Sequence, residues 1–311
     1  MGFEVGKEAT VDAMRPGGPR VRRLLDSADG QGNHRGPMST PNRFRLAAFL
    51  AFPLAGLFAL LSLGNIVLPE AYARESASWT AQGLGQDWFD LVVVAPMLVV
   101  LAAGALRGSR PSTLLLGGVL AYSLYSMVLY AFAVHFNQLF LVYSVALGLA
   151  FYGLVSLVTA LGSEDVRSWF SARAPVRTAG IFSALVGAAF YVLWLSEVIP
   201  ALAAHAVPKS VVETGLITNP VQVLDISIVL PAFLAGGIAL ARRRTLGYWL
   251  VPVMLAFAVI LDLALLAMTM SMAARKVAEA GPQVPIFALM AATVAALLWA
   301  LLRSGSRRAE S

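Results

Sequence analysis

Four acidic side chains stand in sequence that is otherwise apolar: Asp90 and Asp225 each open a hydrophobic run, Asp262 lies inside another, and Glu197 closes a fourth. Carboxyls in such surroundings have few uses. They bind a cation or a proton, they exchange protons with a substrate as general acid and base, or they accept hydrogen bonds from neighbouring segments and only hold structure. An ionised and unpaired carboxyl in the outer third of a membrane costs roughly 2–3 kcal/mol, so each needs a proton, a cation or a partner.

Amides and a histidine gather near the same level. Asn65, Gln86, Asp87, His135, Asn137, Gln138, Asn219 and Gln222 all fall at the ends of apolar runs. Asp87-Trp88-Phe89-Asp90 and Gln222-Val223-Leu224-Asp225 share one spacing, polar residue to Asp in three steps, which puts both members on one helix face. The chemical expectation is an acidic, externally open site built from Asp90, Asp225, Asp262 and Glu197, with Asn219, Gln222, Asp87 and His135 as hydrogen-bonding partners. The structural alternative is capping. Asn219-Pro220-Val221-Gln222 has the order of an N-terminal cap, and Asp87 is read the same way. Asp225 and Asp262 lie too far from such an end for that explanation.

The elements that must position these groups come in duplicate. DLVVVAPMLVVLAAGALR (90–107) returns 135 residues later as DISIVLPAFLAGGIALAR (225–242), with Pro96 and Pro231 at the same place. Upstream, IVLP (66–69) and EVIP (197–200) also correspond. The sequence therefore reads as two tandem units of four membrane spans, related by a pseudo-twofold axis along the membrane normal because four is even. The expected spans are 46–68, 88–106, 112–134, 139–161, 179–199, 221–241, 248–272 and 284–302, and the second and sixth are expected to face each other near the axis. Each is read as a helix, since a chain crossing about 30 Å of hydrocarbon must satisfy its own backbone groups. The two prolines predict kinks.

With 59% hydrophobic and 13% charged residues the chain cannot be a water-soluble domain of its size. Thirteen arginines, among them Arg43, Arg107, Arg173, Arg242 and Arg308, fall in alternate connections or at the termini, whereas the opposite loops hold only Arg74, Lys209, Arg275 and Lys276. The expected location is the inner (plasma) membrane with both termini cytoplasmic. The net charge of +6 is then a topology signal, and scattered basic residues give no nucleic-acid surface. Residues 1–42 read as a disordered cytoplasmic tail, with Met38 as an alternative start, 43–165 and 166–303 as the repeats, and 304–311 as a second tail.

The chain has no cysteine, which excludes disulfides and thiolate metal sites, and its three histidines, His34, His135 and His205, are scattered. No metal set and no cofactor is specified. Lys7, Lys209 and Lys276 lie outside the spans, so no lysine could carry retinal. Tyr122, Tyr125, Tyr130, Tyr143, Tyr152, Tyr191, Trp88 and Trp194 either line a cavity or form interfacial belts.

In outline two four-span copies resemble heme A synthase, but the paired membrane histidines of that family are missing. GQD (85–87), HFN (135–137) and TNPVQVLD (218–225) resemble segments of an uncharacterised family of multi-pass, eight-span bacterial membrane proteins, over residues 44–302. That resemblance implies no activity. It implies His in many members where this chain has Gln222, and so argues against a His and Asp metal pair here.

The leading expectation is a protein that binds or transports a cation, proton or small polar solute between its halves. The alternatives are a membrane-embedded enzyme acting on a lipid or isoprenoid, which requires an apolar groove beside Asp225 or Asp262, and a scaffold or sensory subunit, in which every acid has an internal partner.

Overall fold

The computed structural model describes residues 43–278, 281 and 283–306. The tail at 1–42 and the basic pair Arg307 and Arg308 lie outside them. Within them the protein is all-helical, and eight helices are long and apolar enough to cross a membrane. In chain order the helices are α1 (Arg45–Val67), α2 (Ala77–Leu106), α3 (Arg110–Ala133), α4 (Phe140–Gly162), α5 (Val176–Ala203), the short loop helix α6 (Lys209–Thr214), α7 (Pro220–Ala241), α8 (Thr245–Ala274) and α9 (Gln283–Gly305). The chain is a multi-pass membrane protein by these helices.

Side-chain caps fix three helix starts. Ser76 accepts from the Trp79 N–H, Ser109 from that of Ser112, and Asn219 from those of Val221 and Gln222, the last as its sequence predicts. The first of these corrects the reading of Asp87. Because α2 begins at Ala77 rather than near residue 88, Asp87 and Asp90 lie three turns inside a helix and cap nothing.

The two prolines have the same effect in both places. A five-residue π-helical turn runs from Asp90 to Val94 and another from Asp225 to Val229. In each, the aspartate carbonyl accepts from the N–H five residues on, Ala95 or Leu230, rather than four. Pro96 and Pro231 follow directly. A proline ring presses on the carbonyl four residues back and offers no N–H, and widening the preceding turn relieves both problems. The widened turn also rotates the aspartate relative to the rest of its helix.

Packing differs between the halves. α1, α2, α3 and α4 form a closed ring in which α1 meets α2 and α4, and α3 meets α2 and α4. In the second half α5 packs along α7, α7 along α8 and α8 along α9, but α9 and α5 touch only sparsely. The ring is open there. The seam between halves is made by α3 on α8, with the N-terminal half of α2 also on α8. The expectation that the second and sixth spans face each other at the centre is thus replaced, because Gly118 on α3 lets α8 approach until a Cβ there would collide with Ala256 and lie 2.8 Å from the Phe257 nitrogen.

The α5–α7 contact is closer still. A Cβ at Gly237 would sit 2.6 Å from both the Ala184 nitrogen and the Gly180 oxygen, which are backbone atoms that cannot yield without moving a helix. Gly237→Val is expected to destabilise the protein by about 1–3 kcal/mol or more through forced separation of these helices. Gly148→Ala, where the added carbon meets nothing within 4 Å, is expected to leave the melting temperature unchanged or slightly raised. Thermal unfolding followed by tryptophan fluorescence in detergent compares the two.

Candidate functional site

The buried acids divide into two kinds. Asp87, 1% exposed, accepts from three donors: Asn65 Nδ2 at 3.0 Å, the Tyr72 hydroxyl at 2.6 Å and the Tyr130 hydroxyl at 2.9 Å. Tyr143 extends the network by donating to Asn65 Oδ1 at 2.6 Å. These groups come from α1, α3, α4 and the α1–α2 loop, so one carboxyl ties the first ring together. Burial first, then the adjacent Asp87 carboxylate, pushes the Tyr72 phenol well above its ordinary range, which keeps that loop tyrosine a donor. Asp90, also 1% exposed, accepts from the Tyr122 hydroxyl at 2.8 Å.

Asp225 lies at the seam. Its Oδ1 accepts from the hydroxyl of Tyr125, on α3 of the other half, at 3.3 Å, and its Oδ2 accepts from Trp194 Nε1, on α5, at 2.8 Å. Asp262 on α8 is different again. It is 5% exposed, and among the described residues its buried Oδ2 has no hydrogen-bond partner. A buried acceptor left unmet costs about 1–3 kcal/mol, more if charged, and a fold carries few of them.

Both Asp225 and Asp262 line cavities, which adjoin one another through shared wall residues. One, about 370 Å³, fills the middle of the second half between α5, α7, α8 and α9. Apart from the two acids and Thr293 its walls are apolar, with Phe182, Phe190, Phe233 and Phe257 prominent. The gap between α5 and α9 leaves it open at the side, where Leu289 is 69% exposed. A second cavity of about 280 Å³ lies at the seam and shares Phe190, Asp225, Leu261 and Asp262 with the first. A third, about 260 Å³, shares Trp194, Val221, Leu265 and Met268 with the second and reaches the loops at the α6 end of the molecule. Asp262 therefore stands in the wall common to the apolar chamber and the seam cavity.

Three of the remaining candidates, Glu197, Asn219 and Gln222, hold α6 against the third cavity. Glu197 accepts from the Ser210 N–H at 2.9 Å through Oε1 and from Gln222 Nε2 at 2.6 Å through Oε2. Asn219 Nδ2 donates to Ser210 Oγ at 3.2 Å. Together they clip α6 to α5 and α7, and Ser76 Oγ donates to the Thr214 carbonyl at 3.1 Å to fasten α6 to the first half. His135 is on another loop, where its backbone N–H donates to Glu75 Oε1 at 2.7 Å and its Nδ1 lies 3.0 Å from the same oxygen. Lys209 pairs with Glu213 at the surface, at 3.3 Å, rather than bridging to a buried acid.

Of the eight residues singled out from sequence, Asp225 and Asp262 share a cavity wall, Glu197, Asn219 and Gln222 hold α6 over the third cavity, Asp87 and Asp90 belong to the first ring, and His135 lies on a separate loop against Glu75. Tyr125 and Trp194 acquire a definite place as donors to Asp225. Tyr72 escaped notice in the sequence because a single tyrosine in a charged loop gives no periodic signal. Comparison with protein-family models, with characterised proteins and with solved structures finds no match, which fits membership of an uncharacterised family.

Proposed function

We propose that the protein binds an amphiphilic molecule between its halves, with the apolar body of that molecule in the chamber of the second half and its polar end at Asp262 and Asp225. The observation that carries this reading is Asp262, whose Oδ2 is buried and unpartnered among the described residues and whose side chain belongs to the wall of an apolar cavity of about 370 Å³. Ligand sites characteristically combine apolar walls with a few convergent polar groups. A fully hydrophilic solute fits less well, because it would exchange its water for walls of Phe and Leu. A scaffold fits less well too, since it would leave no acid unmet.

Tandem duplication is part of the proposal. It is supported by the identical π-helical turns at Asp90 and Asp225, each directly before its proline. At the same 135-residue offset, VLAYS (119–123) of α3 corresponds to MLAFA (254–258) of α8. Tyr122, the donor to Asp90, then corresponds to Phe257, and the buried Met127 to Asp262. One copy has a satisfied polar core, whereas the other has Phe257 in place of the hydroxyl, Asp262 in place of Met127, and an open chamber. Cytoplasmic termini and an inner-membrane location, from the arginine distribution, complete the picture and put the α6 end outside.

A second reading, an enzyme acting on a lipid or isoprenoid, is favoured by one contrast. Asp225 has two donors and Asp262 Oδ2 none, and carboxyls in unequal surroundings can divide the roles of acid and base.

Filling the chamber tests the binding reading. Ala258 lines it, and the wild-type protein is expected to copurify with an amphiphilic molecule that Ala258→Trp excludes, as measured by organic extraction and mass spectrometry. Identical extracts from the two proteins would overturn the proposal.

A further inference from the structure

The hydrogen-bonding inventory around Asp262 narrows the ligand. Tyr122, Tyr125 and Trp194 all line the seam cavity, and each owns a single donor hydrogen. All three are already committed to aspartates of the protein: Tyr122 to Asp90, Tyr125 and Trp194 to Asp225. The Gln86 amide, on the same wall, donates to Ser126 Oγ at 3.0 Å. Apart from the second Gln86 N–H and the Ser126 hydroxyl on the seam wall, what the site has left over is acceptor capacity, in the unpartnered Oδ2 of Asp262 and the second lone pairs of Asp225. A complementary ligand brings donors and needs no acceptor of its own satisfied.

Charge points the same way. Among the described residues, the chamber and the seam cavity are lined by two carboxyls and by no Lys, Arg or His. Phe190 borders both spaces and Phe257 borders the chamber, and aromatic faces attract cations. In the chamber, where the Thr293 hydroxyl already donates to the Leu289 carbonyl, a hydroxyl ligand would bring a single donor hydrogen to the two carboxyls. An ammonium has donors only.

From this we infer that the ligand of the site is a lipophilic amine, held as an ammonium with at least one N–H on Asp262 and Asp225 and with its hydrocarbon body in the chamber. The inference rests on the amphiphile reading above and names its chemical class. Such an ammonium could belong to an amino lipid entering between α5 and α9 or to a soluble amine arriving beneath α6.

The test uses the full chain in phosphatidylcholine nanodiscs, with melting temperature as the readout and octylamine, octanol and octyltrimethylammonium as probes. Octylamine is expected to raise the melting temperature saturably by several degrees, the other two to have little effect, and Asp262→Leu to abolish the response. An equal response to octanol overturns the ammonium assignment and leaves the amphiphile reading standing. An equal response to octyltrimethylammonium overturns the N–H requirement. No response to any probe, or an undiminished response in Asp262→Leu, overturns both readings. Repeating the titration with phosphatidylethanolamine in the discs separates the sources: a lost octylamine response assigns the site to the lipid, and a retained one assigns it to soluble amines.

Discussion

Asp262→Leu is expected to make the protein more stable, by about 1–3 kcal/mol, while removing its response to ligand. The sign is the informative part, because most buried substitutions destabilise. Here the wild-type side chain holds an acceptor in an apolar wall with nothing to accept from. If ionised and uncompensated at membrane depth, such a group costs about 2.5–3.5 kcal/mol. Leucine removes that cost, and the adjoining cavity accepts its extra volume. At roughly 2–4 °C per kcal/mol for a protein of this size class, a gain of several degrees is within reach of a simple melt. Asp262→Asn keeps a polar group without a partner and is expected to change the melting temperature little. A marked fall in stability for Asp262→Leu would show that this carboxyl holds the fold and would remove the main support for a site.

The spans were legible because the solvent is lipid, where a long apolar run has one stable form. The start of α2 was not. Ala77–Gln86 contains Ser, Thr, Gln and two glycines, which lower helix propensity and interrupt the hydropathy that marks the rest of the span. Ser76 as cap was the available signal, and a serine alone is common in loops. That eleven-residue error in the helix start had a chemical consequence, since it turned Asp87 from a core acceptor into a cap.

Asp225 and Asp262 were identifiable as acids that no helix end explains. Their difference was not, because it depends on which hydroxyls and indoles the packing brings near. Tyr125 reaches Asp225 across the seam from a residue 100 positions away, and the register of α3 against α8 decides that contact. The chamber is further still from any local signal. It exists because α5 and α9 fail to close a ring that α1 and α4 do close. Helix-to-helix contacts of that kind depend on many weak side-chain choices and leave no motif.

Asp87→Ala is expected to have the opposite effect to Asp262→Leu, with a loss of roughly 2–5 kcal/mol. The substitution strands three buried donors at once, on Asn65, Tyr72 and Tyr130, and breaks the one group to which α1, α3 and the α1–α2 loop are all tied. The lower figure applies if those donors find new partners, as polar groups within membranes often do. Asp87→Asn is expected to be milder, since an amide oxygen still accepts on one side. A double-mutant cycle makes the mechanism testable. Tyr72→Phe alone should cost about 0.5–1.5 kcal/mol by removing one hydrogen bond, and in the Asp87→Ala background it should cost nothing or even restore some stability, because the hydroxyl it deletes is then unmet. Additive losses would mean that Tyr72 and Asp87 act separately. The ligand response should survive in the folded fraction of every Asp87 variant, because the chamber and Asp262 belong to the other ring. Its loss there would mean that the two halves do not divide structure and binding between them.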